Sequence, residues 1–305
     1  MKRPVRIGTR GSRLALAQAE WFRRAVEARC DTAAELVVIR TSGDRFTDRP
    51  LRDIGGKGLF VKEIEQALLD GDIDCAIHSM KDVPAELAGD LVLAAVPERE
   101  DPRDVLVTRD GRGLDALAAG ARVGTSSLRR RALSLALRPD LAVADLRGNV
   151  DTRLQRLDSG DFDAILLAAA GLNRLGIAPA GARALDPGPF VPAIGQGALA
   201  IESRPDDVAA LLARLDDPPT HLCTRAERAV LAALGGSCHT PLAAHGRIDG
   251  ATLWLEGVVA SPDGARVVRG RQSGPITDPE TIGRRLADEL CRNGGAAILA
   301  ELDAR

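Results

Sequence analysis

The first third of the chain alternates short apolar runs with longer segments in which apolar positions recur at helical spacing. A helix is predicted from Ser12, whose hydroxyl can accept hydrogen bonds from the first turn, to about Arg29, and a second over residues 59–69. The glycine-rich residues 42–58 are predicted as a loop. The apolar runs predict strands at 5–9, 35–41, 73–77 and 91–96. This order predicts a mostly parallel sheet that is covered by helices.

The same pattern restarts after a charged, proline-containing break at residues 98–103. Helices are predicted from Ser126 or Ser127 to about Leu137 and over 150–157. The apolar runs predict strands at 104–108, 122–124, 141–146 and 162–167, the last followed by a short helix. Because both halves open with a strand, a tight turn and a helix, we interpret the sequence as a weak internal duplication. Ligands of open α/β sheets collect at the carboxyl ends of the strands, so two such domains facing each other would form an anion-binding cleft.

The last third of the chain has a different order of predicted helices and strands. Proline-containing breaks at residues 186–192 and 216–219 precede it. A helix is predicted over 224–234, closed by Gly235 and Gly236. The remaining pattern predicts two strands joined by a hairpin and then a final helix, at 252–260, 266–272 and 279–292. This order indicates a small α+β domain.

The bulk composition excludes several classes of protein. A net charge of −2 over 305 residues provides no global basic field, so we expect no nucleic-acid partner. The five cysteines are odd in number, widely spread and without C-x-x-C spacing, which argues against a disulfide framework and against a metal site. No apolar stretch reaches the about 18 residues that span a membrane, and the N-terminus lacks the apolar run of a signal peptide. We therefore expect a reduced, cytoplasmic protein that has no membrane partner.

Arginines concentrate near predicted helix N-termini. Arg129, Arg130 and Arg131 occupy the first turn of a helix whose dipole already favours anions, so three cations there cost stability unless something negative binds. Arg10 precedes another helix, and Arg147 follows a strand. The guanidinium fork suits bidentate binding of carboxylates. The alternative is a solvated face of salt bridges, and the sequence leaves both interpretations open.

Two loop residues carry candidate chemistry. Asp82 follows a buried strand in a loop that Pro84 restrains, where a side chain either reaches a binding cleft or caps a turn. Cys238 follows the end of a helix and is either an activated thiol or a buried structural cysteine. His239 is its neighbour in sequence, but neighbouring side chains usually point apart, so no Cys–His dyad is implied.

Two glycine-rich segments invite nucleotide-binding hypotheses, and both fail. Residues 55–58 lack the spacing of a phosphate loop, and Gly58 stands where Ser or Thr should bind magnesium. Residues 195–200 match G-x-G-x-x-A, but Pro189 and Pro192 interrupt the strand that must precede a dinucleotide fingerprint. We expect the first segment to be a loop that presents a lysine.

A series of segments resembles the porphobilinogen deaminase family, whose activity is also called hydroxymethylbilane synthase. Each segment alone is weakly specific, whereas their joint order and spacing cover essentially the whole chain and are highly specific. The segments are residues 10–12, 55–60, 78–84, 99–104, 124–130, 146–149 and 195–197.

The resemblance implies an α/β fold of two periplasmic-binding-protein-like domains that flank a cleft, plus a small C-terminal α+β domain. Domain 1 would comprise residues 1–98 and 194–216 and carry the catalytic aspartate. Domain 2 would comprise residues 103–192 and carry the arginine-rich binding site. Domain 3 would comprise residues 220–305 and carry the cysteine to which the cofactor is attached.

The family's functional residues match this chain position by position. Asp82 matches the catalytic carboxylate, and Cys238 matches the residue that carries a dipyrromethane cofactor as a thioether. The other cofactor-binding positions are matched by Lys81, Thr125, Ser127, Arg129, Arg130, Arg147 and Gly148. Substrate-binding positions are matched by Arg10, Ser12, Gln18, Arg153 and Arg174, and lid positions by Lys57 and Phe60. One departure is Ser237, where the family often has a glycine before the cysteine.

The resemblance also implies a reaction. A transferase of tetrapyrrole biosynthesis would join four porphobilinogen molecules head to tail into hydroxymethylbilane, primed by the covalently attached dipyrromethane. Loss of ammonia leaves an electron-poor azafulvene, and a carboxylate beside the pyrrole N–H would stabilise its positive charge. Every added ring brings two carboxylates, which accounts for the excess of arginine.

Two other hypotheses remain beside this one. The first is a non-catalytic, two-lobed protein that binds carboxylates or other anions. The second is a cysteine acyltransferase or hydrolase, which would need a histidine near Cys238.

Overall fold

A computed structural model describes residues 3–41, 61–235 and 240–303. The strands are β1 (Val5–Thr9), β2 (Ala34–Val38), β3 (Cys75–Ser79), β4 (Val92–Ala95), β5 (Asp104–Thr108), β6 (Arg122–Gly124), β7 (Ala142–Ala144), β8 (Ala164–Ala168), β9 (Ala182–Ala184), β10 (Leu199–Ser203), β11 (Leu242–Asp249), β12 (Thr252–Ala260) and β13 (Val267–Pro275). The helices are α1 (Arg13–Cys30), α2 (Lys62–Leu69), α3 (Leu128–Leu137), α4 (Val150–Asp158), α5 (Ala169–Leu175), α6 (Asp207–Leu212), α7 (Pro218–Ala233), α8 (Pro279–Leu290) and α9 (Ala296–Asp303).

The chain divides into two compact units, which we call unit 1 and unit 2. Unit 1 comprises residues 1–100 and 198–221, and unit 2 comprises residues 101–197 and 222–305. The second segment of unit 1 overlaps the return segment that the sequence predicts for domain 1. The division into three domains remains a prediction.

Unit 1 is built on a mixed sheet with the order β2-β1-β3-β10-β4. β1 runs parallel to β2 and β3, whereas β10 runs antiparallel to β3 and β4. One face packs on α1 through a core that includes Ile7, Phe22 and Ile77. The other face packs on α2 through Ile64 and Leu68. The sheet is therefore covered by helices on both faces, as predicted.

Unit 2 contains a sheet of equivalent order, β7-β6-β8-β5-β9. β6 is parallel to β7 and β8, and β5 is the antiparallel strand next to β8. Ser12 caps α1 by accepting from the N–H of Ala15, and Ser127 caps α3 by accepting from the N–H of Arg130. The shared order and shared caps agree with the internal duplication inferred from the sequence.

The C-terminal part of unit 2 forms an antiparallel sheet, β11-β12-β13, with α8 packed against it. The predicted hairpin between β12 and β13 is confirmed. Ala243 and Val258 of this sheet share a core with Leu133 and Phe190, so the C-terminal part packs directly on the α/β part of the same unit. The predicted α/β fold class with a small C-terminal α+β part is confirmed.

The predicted helix start at 224 is wrong. Pro218 begins α7 six residues earlier, so only Asp216 and Asp217 of the predicted break lie outside a helix. The carboxylate of Asp217 accepts from the N–H of Thr220 and so satisfies a donor of the first turn. Proline is tolerated there because its missing N–H would have no partner within the helix.

Each sheet is mostly parallel, with one reversed strand, β10 in unit 1 and β5 in unit 2, that runs antiparallel to both of its neighbours. In the part of the chain that the structure describes, no helix is both long and apolar enough to cross a membrane.

Candidate active site

Asp82 lies directly after β3, in a single 3-10 turn that spans Met80–Asp82. Met80 is buried in an apolar cluster with Val83, Val96 and Ala200, and its N–H donates to the carbonyl of Ala198 at 3.0 Å. These contacts anchor the turn. The Asp82 side chain is exposed, and within residues 3–41, 61–235 and 240–303 it has no hydrogen-bond or ion-pair partner. A carboxylate held in this way is available to a ligand.

Three further predicted site residues of unit 1 lie at the start of α1. Ser12 is its cap, with its Oγ 3.3 Å from the N–H of Ala15. Gln18 is buried one to two turns later, and its amide donates to Ser79 Oγ at 3.1 Å, next to the turn of Asp82. Arg10 is half-buried just after β1, and Lys81 is half-buried beside Asp82.

The arginines of α3 bind an internal carboxylate that the sequence argument missed. Nη1 and Nη2 of Arg129 lie 2.6 and 3.1 Å from the two oxygens of Asp104, and Nε of Arg130 lies 2.8 Å from Asp104 Oδ1. All three side chains are buried. Arg131 instead donates to the carbonyl of Val143 at 2.9 Å. Asp104 therefore supplies the negative charge that Arg129 and Arg130 need at the N-terminus of α3.

The charge of this buried cluster does not cancel. Burial alone would raise the pKa of Asp104, but the charges of Arg129 and Arg130 outweigh it and hold that pKa well below its usual range. One carboxylate then stands against two guanidinium groups. Nε of Arg129 is also buried without a hydrogen-bond partner among the described residues. The cluster thus keeps a surplus of positive charge and of donors.

Arg153 adds to this surplus. It lies on α4 and donates from Nε to the carbonyl of Gly148 at 2.8 Å. Burial, and then the nearby charge of Arg130, lower the pKa of Arg153 to about 10. No carboxylate among the described residues lies within ion-pair distance of it. An anion placed beside Arg153 would offset both effects, since it would stabilise the charged form.

The turn between β7 and α4 depends on Gly148. Its φ of +104° is a conformation that residues with a side chain rarely adopt, and a Cβ there would lie 2.9 Å from Cγ2 of Thr152. Asn149 caps α4 by accepting from the N–H of Thr152. Arg147 lies half-buried in the same turn. The turn therefore presents Arg147 and anchors Arg153.

The start of α3 brings two more predicted residues together. Thr125 is buried, and its Oγ1 accepts from the N–H of Ser127 at 3.2 Å. Ser127 in turn caps the helix that carries Arg129 and Arg130. Arg174, at the end of α5, donates to the carbonyl of Gly197 at 2.6 Å.

Three predicted site residues, Lys57, Phe60 and Cys238, lie outside the described residues. The cysteines at 30, 75, 223 and 291 form no disulfide bond among the described residues. No cluster of three or more metal-ligating side chains occurs in the ranges that the structure covers.

Sequence reasoning missed three buried polar groups. Asp104 opens a strand that is otherwise apolar, and a charge in such a strand could have been a signal that it binds a partner. Gln196 donates to Asp104 Oδ1 at 3.1 Å and to the carbonyl of Pro102 at 2.7 Å. Oε2 of Glu202 lies 3.0 Å from Nε2 of His78, and His78 precedes Asp82 by four residues.

Comparison with known proteins decides the identity of this arrangement. Residues 5–211 match the family model "Porphobilinogen deaminase, dipyromethane cofactor binding domain", and residues 221–292 match "Porphobilinogen deaminase, C-terminal domain". The chain belongs to the porphobilinogen deaminase family. The enzyme class and the dipyrromethane cofactor expected from the resemblance are confirmed by these matches.

Full-length relatives agree with the family models. The porphobilinogen deaminase of Syntrophobacter fumaroxidans is 52% identical over 303 residues, covering 98% of both chains. That of a Roseiflexus species is 51% identical over 303 residues, covering 98% of this chain and 100% of its own. Among solved structures, a periplasmic substrate-binding protein of an ABC transporter from Coxiella burnetii is 16% identical, with a TM-score of 0.43 over 73% of this chain and 96% of its own.

Proposed function

We propose that the chain deaminates porphobilinogen and joins four molecules head to tail into hydroxymethylbilane, primed by a dipyrromethane on Cys238. The observation that carries this proposal is the cationic surplus of unit 2. Three guanidinium groups, of Arg129, Arg130 and Arg153, stand against the single carboxylate of Asp104. A ligand with several carboxylates fits such a site.

The donor set also fits the cofactor. A dipyrromethane of this pathway carries acetate and propionate groups, and the surplus guanidinium donors with the orphaned Nε of Arg129 are groups that carboxylates satisfy. Arg129, Arg130 and Arg147 would hold it, with Thr125 and Ser127 beside them. When bound, the cofactor supplies the pyrrole carbon to which the first substrate is joined.

We assign the chemistry of unit 1 to Asp82. Its exposed carboxylate can accept from the pyrrole N–H of porphobilinogen, and it stabilises the positive charge that develops as ammonia leaves. The same group can move the proton to the departing amine and take one from the attacked ring carbon. Gln18 and Ser79 are hydrogen-bonded to each other next to the Asp82 turn. This bond helps to fix the position from which Asp82 approaches the substrate.

The remaining assignments follow from the family match. Arg10, Ser12, Gln18, Arg153 and Arg174 would bind substrate carboxylates, Lys81 would neutralise a carboxylate beside Asp82, and Lys57 and Phe60 would lie in a lid. We further propose that the chain works as a monomer in the cytoplasm. The three-domain division predicted from the sequence is retained in this proposal.

The function is tested by incubating the purified protein with porphobilinogen while ammonia release and linear tetrapyrrole are measured together. The proposal expects about four ammonia molecules for each tetrapyrrole, since each condensation expels one amine. Binding of porphobilinogen without ammonia release would instead support the non-catalytic anion-binding hypothesis and would refute the proposed activity.

A further inference from the structure

Glu227 is a fully buried carboxylate that the proposed reaction does not use. It lies on α7, and each of its oxygens accepts a backbone N–H from a distant part of unit 2. Oε2 accepts from Gly195 at 2.7 Å, and Oε1 accepts from Gly246 at 2.8 Å. A buried carboxylate that binds two backbone amides joins three segments at one point.

The bond from Gly246 connects the helix that precedes Cys238 with the strand that follows it. α7 ends at Ala233 and β11 begins at Leu242, so the bond from Gly246 to Glu227 ties together the two elements on either side of the cysteine. The approach is close, because a Cβ on Gly246 would lie 3.2 Å from Cβ of Cys223, one turn before Glu227. Glycine at 246 thus lets the strand come near enough for its N–H to reach the carboxylate.

The second bond fixes the turn that contains Gln196. Gly195 and Gly197 have φ values of +67° and +90°, which explains why glycines flank this glutamine. Gln196 is buried, and its amide donates to Asp104 and accepts from Nη2 of Arg130 at 3.4 Å. Hydrogen bonds therefore join β11 to Glu227 and Glu227 to Gly195, and the next residue, Gln196, is hydrogen-bonded to Asp104 and Arg130.

We propose that Glu227 is a positioning residue, which holds α7 and β11, the elements on either side of Cys238 in the sequence, in place relative to the arginines proposed to bind the cofactor carboxylates. This inference rests on the proposed function of Cys238 and Arg130. A thioether fixes one end of the cofactor while the arginines fix its carboxylates, so the distance between the two anchors must match the cofactor. Glu227 ties α7 and β11 to the turn that contains Gln196, and Gln196 is hydrogen-bonded to Arg130.

Glu227→Gln is the most direct test, because it keeps the size of the side chain. The amide has one accepting oxygen, and its NH2 faces a backbone N–H where the second oxygen stood. We expect the apo form of E227Q to attach pyrroles from added porphobilinogen about tenfold more slowly than wild type, as fits the loss of one hydrogen bond to a charged group. Intact mass spectrometry follows the attachment over time.

A matched control separates positioning from stability. Val230 is fully buried on the same helix, one turn later, in the apolar cluster that contains Leu253 and Leu286. Val230→Ala should lower the melting temperature yet load at the wild-type rate, when both are measured well below their unfolding transitions. Equal loading of E227Q and wild type would refute the inference, and so would equal slowing in V230A and E227Q at matched stability.

Gln196→Ala tests the other end of the chain of hydrogen bonds and keeps the inference testable if E227Q does not fold. Q196A should also slow loading, and the double variant should be slowed less than the product of the two single effects, since both act through one chain. Independent, multiplicative effects would contradict a shared path. A wild-type protein that never gains mass would refute the proposed function and this inference with it, whereas normal loading of the variants would refute this inference alone.

Discussion

Oδ2 of Asp104 lies 2.6 Å from Nη1 of Arg129, and the two side chains are 0% and 5% exposed. The pair joins the first residue of β5 to the first turn of α3. Arg130 shares the same carboxylate, so one acidic group orients the two arginines that we propose hold the cofactor. In this proposal Asp104 positions the binding groups without contacting the ligand.

Replacement of Asp104 by asparagine should destabilise the protein by about 3–5 kcal/mol, because it leaves two buried guanidinium groups without a counter-charge. Denaturant unfolding measures the change. Asp161→Asn is the matched control, since Asp161 pairs with Arg156 where both side chains are about half exposed. It should change stability by about 0–1 kcal/mol. A D104N variant as stable as D161N would show that the buried pair is not needed.

The same pair makes a prediction for acid stability. Although burial opposes it, the two arginines hold the pKa of Asp104 well below its ordinary 3.8. A group whose pKa is depressed on folding contributes stability above its unfolded pKa and loses it as the pH falls toward the folded pKa. The stability difference between wild type and D104N should thus be constant at neutral pH and shrink below about pH 4. A difference that grows on acidification would contradict this assignment.

Glu65 should act with the opposite sign. Burial, and then the charge of Glu202, raise the pKa of Glu65 above its ordinary 4.5. Its contribution to stability is therefore full below pH 4.5 and is lost as the pH rises through the raised pKa. Glu65→Gln removes this titration. The melting temperature of E65Q should therefore rise relative to that of wild type as the pH increases from 4.5 to 7.

An exposed residue provides the contrast for Glu65. Hydrogen bonds from Arg23 and Arg24 lower the pKa of Glu20 to about 2. Glu20→Gln should therefore lose stability relative to wild type as the pH rises through the ordinary carboxyl range, by a small amount because the pair is solvated. The same pH trend in both variants would show that burial of Glu65 is not the cause.

Gly148→Ala should damage both stability and substrate binding. Its φ of +104° strains any side chain, and the new Cβ would meet Thr152 at 2.9 Å. We expect a loss of about 1–3 kcal/mol and a higher KM, because the turn anchors Nε of Arg153. Gly120→Ala is the control: its φ is +75° but nothing lies within 4 Å of the new Cβ. If both variants show the same KM, the turn does not position Arg153.

Asp82→Asn should retain covalently bound pyrroles but turn over about 10²–10⁴-fold more slowly, the range expected when a general acid–base is lost. The stability of the variant should match wild type, because the side chain is exposed and makes no hydrogen bond or ion pair among the described residues. Single-turnover kinetics with an intact-mass control separate the two effects. Turnover near the wild-type rate would remove Asp82 from the mechanism.

The sequence predicted the local elements well because their signals are local. The serine caps of α1 and α3 and the hairpin between β12 and β13 all depend on neighbours within a few residues. Pro218 was misjudged because a proline after two aspartates fits both a break and the first turn of a helix, and only the bond from Asp217 to Thr220 distinguishes them.

The sequence yielded a list of expected site residues, but it did not reveal the balance of positive and negative charge among them. Asp104 is 25 residues from Arg129 in the chain, and Gln196 is 92 residues from Asp104, so no local pattern reveals that these groups meet. The G-x-G pattern around Gln196 leads into strand β10, not into a helix as a nucleotide fingerprint does, and its place in the fold needs the φ values of both glycines and the burial of the glutamine.

The central claim is that Cys238 carries the growing pyrrole chain, and intact mass before and after exposure to porphobilinogen tests it most directly. The wild-type protein should exceed its encoded mass by a dipyrromethane and gain further pyrrole units on incubation, while Cys238→Ser should lack the normal adduct. A wild-type protein that stays at its encoded mass throughout, or a C238S variant that carries the full adduct, would contradict the account.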